Sequence, residues 1–247
     1  MELVPTAIGM LTYLQGTTRP DISMAVHQCA RFFMDPKLSH ERAVKCIGRY
    51  LLETTNRGIM YSPDMKKCLL ECYVDADFAG GWAKADADNP DNVLSRTGYI
   101  ITYAGCPLIR ESRMQNEISL STAGSEYIAL STSMRYVISI MQLMDEIDKI
   151  FPLNNDKPKI HCKVDKEKSK TQCKVYGHNE SCISMAKNRQ FSPRTKHIAI
   201  KYHHFRRLAN KTVTLHSIDT NEQMADALIK SLDTSKFEYL RKKYCGW

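Results

Sequence analysis

The chain has 247 residues, of which 43% are hydrophobic and 25% charged, which excludes a disordered or fibrous protein and leaves material for one large core or two smaller ones. Nine cysteines without a C-x-x-C pair, no apolar run near the ~20 residues a bilayer needs and no signal peptide at Met1 point to a reduced, intracellular protein of cytoplasm or nucleus with no membrane partner. The net charge of +8 is uneven: residues 157–211 hold fifteen Lys/Arg against three Asp/Glu, so the remainder is acidic, a division that suits phosphate binding by one part and metal binding by another.

Residues 1–62 read as three helices. Pro20 is a good first helical residue, and Ile22, Ala25, Cys29 and Phe32 follow at helical spacing. Ser39 is placed to cap the third helix, with Ala43, Ile47 and Tyr50/Leu51 on one face, and Gly16 and Gly58 stand where helices should stop. So small a segment buries little alone, which predicts docking on the rest of the chain or on an upstream domain. From residue 67 strands take over. Cys68–Val74 delivers Asp75 at a strand tip, with Asp77 expected on the opposite face; residues 97–103 and 108–113 form a hairpin across residues 104–107, and Ile118–Leu120 extends the sheet.

Ala123, Tyr127, Leu130, Met134, Val137, Met141 and Met144 then recur as the apolar seam of a long helix capped by Ser121 or Thr122, which sets Glu126 beside the seam in the first turns. A polar insertion near 151–171 follows, and the triplet Cys-Lys-Val occurs twice, at 162–164 and 173–175, the mark of an inserted or duplicated stretch. A strand at 172–176, helices at 181–187 and 195–210, a strand at 212–218 and helices at 222–229 and 235–244 complete an α/β pattern: a mixed sheet flanked by helices and preceded by a small all-helical segment. Cys173, His178 and Cys182, with Cys162 upstream, faintly match a zinc knuckle but lack its leading C-x-x-C.

Five strings in order, Gly16-Thr-Thr-Arg-Pro-Asp-Ile22, Tyr73-Val-Asp-Ala-Asp-Phe-Ala-Gly80, Leu120-Ser-Thr-Ala-Gly-Ser-Glu-Tyr-Ile-Ala129, Arg194-Thr-Lys-His-Ile-Ala-Ile-Lys-Tyr-His-His-Phe205 and Gln223-Met-Ala-Asp-Ala-Leu-Ile-Lys230, resemble the C-terminal part of copia-type retrotransposon polyproteins. The resemblance implies that residues 1–62 end a reverse transcriptase thumb, with a reverse transcriptase palm as a partner, and that residues 67–247 are a ribonuclease H-like domain. Such a domain cuts the RNA strand of an RNA–DNA hybrid with two magnesium ions held by four carboxylates. Carried over by motif, Asp75, Glu126 and Asp226 are metal ligands. The remaining ligand position falls on His178 of Tyr176-Gly-His-Asn179, where the family has Asp, and imidazole is a poor magnesium ligand. Asp165 is an alternative ligand if the register shifts to the first Cys-Lys-Val copy. With Gly124 in place of a family Glu, Leu108-Ile-Arg-Glu-Ser112 in place of a Trp-containing strand and Ala227-Leu-Ile-Lys-Ser231 in place of a Thr-Lys-Pro ending, the departures imply a decayed copy with impaired cleavage or an inert nucleic-acid-binding remnant. Arg194, Lys196, His197, Lys201, His203, His204 and Arg206 are the expected contacts to hybrid.

Overall fold

A computed structural model of the chain describes residues 3–81, 90–151, 172–188, 198, 200–207 and 212–247. Three helices open it: α1 (Leu3–Thr17), α2 (Ser23–Ala30) and α3 (Leu38–Glu53). Pro20, with its φ already set, starts a 3₁₀ turn (Pro20–Ile22) that feeds α2. Because α2 ends at Ala30, the expected stripe loses Phe32, and Val26 rather than Ala25 enters the core beside Val4, Ile8, Ile22, Cys29 and Ile47. The third helix begins before Ser39: the backbone N–H of Lys37 donates to His40 Nδ1 at 3.0 Å. It ends at Glu53, short of Gly58.

The sheet consists of β1 (Leu70–Ala76), β2 (Arg96–Tyr103), β3 (Cys106–Met114), β4 (Cys173–Gly177) and β5 (Val213–Ser217), in the order β3-β2-β1-β4-β5. The first three strands are antiparallel neighbours, whereas β1–β4 and β4–β5 are parallel. The β2–β3 turn is tighter than the sequence suggested. Ala104 and Gly105, with φ of 51° and 78°, make it alone, the left-handed pair that a two-residue hairpin demands, and Cys106 and Pro107 already belong to β3. Residues 118–120 form no strand; they lead to Ser121, whose side chain accepts from Gly124 N at 3.0 Å and so caps α4 (Thr122–Ile150).

Alternation along the strands divides two layers. Tyr127, Leu130, Met134, Val137 and Met141 of α4 pack with Cys72, Val74, Tyr99 and Ile101 on one face. Ile100 faces the other, against α6 (Asp226–Ile229) and α7 (Thr234–Cys245). Between β4 and β5 lie α5 (Glu180–Lys187) and a 3₁₀ run at Ile200–Arg207, where an α-helix over 195–210 was expected; residues 195–197, 199 and 208–210 lie outside the described ones. The helical front docks on this layered body: Arg110 donates to Thr17 O at 2.6 Å, Met60 N to Cys245 O at 2.8 Å, and Arg241 to Tyr50 Oη at 3.1 Å. The mixed five-stranded sheet with helices on both faces, preceded by a small helical segment, is the α/β architecture that the sequence pattern predicts. Among the described residues no helix is long and apolar enough to cross a membrane.

Candidate functional site

Asp75 is the sixth residue of β1, the central strand, and pairs across the sheet with Gly98 of β2. That glycine decides how close the opposite layer comes. A Cβ at Gly98 would meet Ile229 Cγ2 at 2.5 Å and Ala225 O at 3.1 Å, so its absence lets α6 settle onto the sheet and bring Asp226 to Asp75. Gln223 helps to fix this approach by donating to Val74 O at 3.1 Å. Glu126 arrives from the other face, in the second turn of α4, and His178 follows β4 directly. The side chains of Asp75, Glu126 and Asp226 are almost fully buried, while that of His178 is 29% exposed.

The contacts within the cluster are short. His178 Nδ1 lies 3.1 Å from Asp75 Oδ1, and His178 Nε2 3.7 Å from Glu126 Oε1. Asn179 donates to Glu126 Oε1 at 3.2 Å. Two ammonium groups complete the set: Lys230 bridges Asp75 Oδ2 at 2.8 Å and Asp226 Oδ1 at 3.0 Å, and Lys236 donates to Asp226 Oδ2 at 2.8 Å. Both oxygens of Asp226 are therefore engaged by lysines.

Electrostatics follow from that geometry. Burial works to raise the Asp75 pKa, but His178, Asp226 and Lys230 outweigh it and hold the group below the ordinary carboxylate range. Burial and the neighbouring Asp75 lift Asp226, and burial followed by the charge of Asp75 pushes Glu126 up to about 7. His178 is raised, chiefly by Asp75. The carboxylate charge is thus largely compensated by groups of the chain itself.

Asp75, Glu126 and His178 each offer a donor atom within 4.8 Å of the other two, a grouping able to hold a metal ion. Two magnesium ions, the pair implied by the resemblance, do not fit this donor set. Magnesium asks for oxygen ligands in near-octahedral order, whereas one position here is an imidazole and Asp226 is already committed to two ammonium groups. Cys173 and Cys182 lie buried in the core and do not join His178 in any metal-binding group among the described residues; Cys162 and Asp165 lie outside them. Asp77 accepts from the backbone N–H of Arg96.

No family model matches the chain. It is 33% identical over 245 residues to the Retrovirus-related Pol polyprotein from transposon TNT 1-94 of Nicotiana tabacum, an alignment covering 98% of this chain and 16% of that protein. The Retrovirus-related Pol polyprotein from transposon RE1 of Arabidopsis thaliana is 29% identical, covering 96% of this chain and 14% of its own length. The chain belongs to the copia-type retrotransposon Pol proteins. It spans only about a sixth of the length of these two polyproteins. A crystal structure of LC11-RNase H1 in complex with RNA/DNA hybrid overlaps 65% of this Pol chain and 93% of its own, at 16% identity and a TM-score of 0.37.

Sequence reading of this copia-type Pol chain picked out Asp75, Glu126, His178 and Asp226, which the fold gathers, but not Lys230, Lys236 or Gln223 as members of the cluster. The i,i+4 spacing of Asp226 and Lys230 was the local trace of one of them. Of the residues expected to touch nucleic acid, Lys201 pairs with Glu117, and His203 is buried 2.8 Å from the Tyr127 hydroxyl, behind the surface rather than on it. His204 is exposed near Ser131. Arg194, Lys196, His197 and the side chain of Arg206 lie outside the described residues.

Proposed function

We propose that this ribonuclease H-like Pol domain engages RNA–DNA hybrid through its basic segment, and that its magnesium-supported cleavage of the RNA strand is reduced by several orders of magnitude. In the same reading, residues 1–62 are the end of a reverse transcriptase thumb, residues 67–247 are the nuclease domain, and a reverse transcriptase palm is the natural neighbour of the helical front. The observation that carries the loss of cleavage is His178, whose Nδ1 lies 3.1 Å from Asp75 Oδ1 and so puts a ring where the resemblance asks for a carboxylate. Lys230 supports it by engaging one oxygen of each carboxylate, Asp75 Oδ2 at 2.8 Å and Asp226 Oδ1 at 3.0 Å.

Cleavage of a labelled RNA–DNA hybrid in magnesium tests this directly. The chain as it stands is expected to cut far more slowly than its His178→Asp variant, which restores an oxygen donor. Robust cleavage by the unaltered chain, abolished in Asp75→Asn, would overturn the reading. Hybrid binding is expected to weaken steeply with added salt, because the contacts that the basic segment offers are to phosphates.

A further inference from the structure

Asp75 Oδ1 is a buried carboxylate oxygen with no hydrogen bond, and His178 Nδ1, equally enclosed, has none either. The two atoms lie 3.1 Å apart. Buried polar atoms are rarely left unpaired, and two such atoms this close can share one cation. An ion about 2.1 Å from each would see them at roughly 95°, within the range of ordinary coordination angles.

We infer that Asp75, Glu126 and His178 form a single-ion site of mixed oxygen and nitrogen donors that takes a borderline transition-metal cation, manganese, cobalt or zinc, in preference to magnesium. Glu126 Oε1 accepts from Asn179 at 3.2 Å, which orients the carboxylate, and lies 3.7 Å from His178 Nε2, so this residue brings the third donor of the group. Asp226 contributes nothing, since Lys230 and Lys236 take both of its oxygens, and this limits the site to one ion. Imidazole nitrogen raises affinity along the divalent series toward zinc and does little for magnesium, so the His178 position changes the metal as well as the charge. The site deepens the proposed function and rests on it only for its location.

Cobalt(II), titrated into the full chain and followed by its visible d–d absorption, is the probe. A saturable one-to-one band is expected, displaced by zinc and persisting in a large excess of magnesium. His178→Ala, altered at a partly exposed side chain, should weaken cobalt by about 100-fold or more, beyond the loss of an outer partner. His178→Asp should shift preference toward magnesium. Absence of a band, a band that survives in His178→Ala, or displacement by magnesium at comparable concentration would each overturn the site. Because nucleic acid is absent from this titration, its failure and the failure of the hybrid reading are separable.

Discussion

His27 sits half-buried on α2 where the helical front meets β3 and α6, and burial together with the positive charge of Arg96 holds its pKa down to about 4. In the unfolded chain the same ring protonates near 6.5. Between those values the unfolded state binds more protons, so stability is complete above about 6.5 and falls as the pH drops toward about 4. Urea unfolding across this range should show the decline, and His27→Gln should flatten it; parallel curves for the two proteins would deny His27 the role. Single side chains also mark the limit of what the sequence disclosed. Asp75, Glu126, His178 and Asp226 were legible because ordered motifs surround them. Lys230 reaches Asp75 across 155 residues, and no local pattern announces a partner that only the packing of α6 on β1 creates.

Helix α6 is four residues long and cannot hold its own geometry by hydrogen bonding, so its position depends on what it lies against. Gly98 supplies that surface. Gly98→Val would drive a side chain into Ile229 and the Ala225 carbonyl, an overpacking cost of about 1–3 kcal/mol. Lifting α6 would also part Asp226 from Asp75 and release the Lys230 bridge. Denaturant unfolding and faster amide exchange at Lys230, whose N–H donates to Asp226 O at 3.0 Å, would report both effects. Gly48→Ala, in the interior of α3 with open space around it, is the control and should gain about 0.5–1 kcal/mol from helix propensity. An equal gain at Gly98 would show that the close approach has no consequence. The elements most readable from sequence, β1, β2 and α4, owe their pattern to burial on fixed faces. The segment near 200–207 was misread because its apolar residues, Tyr202 and Phe205, follow a 3₁₀ course into the core, which helical spacing does not distinguish.

The helical front has a core of only six buried apolar residues, too little to stand without the body it docks on. Its anchorage is polar and runs through the chain end. Arg19 and Asp21 form a buried ion pair at 2.8 Å, Tyr50 donates to Asp21 at 2.7 Å, and Arg241 of α7 donates to Tyr50 at 3.1 Å. Arg241 also lies 4.0 Å over the Trp247 ring, with Arg19 and Arg57 at 5.4 Å from it. A buried ion pair contributes little net stability but tolerates little disturbance, so the network couples the two parts more than it strengthens either. The intact chain should unfold in one transition, with far-UV circular dichroism and tryptophan fluorescence coincident. Arg241→Ala removes a charged hydrogen bond and the stacking on Trp247, a loss of about 2 kcal/mol, and should let the helical front unfold first. Helical signal would then fall before the sheet core opens. Coincident transitions at an unchanged midpoint in Arg241→Ala would mean that the front is held by its contacts with β3 and α6, and that the C-terminal cluster is incidental.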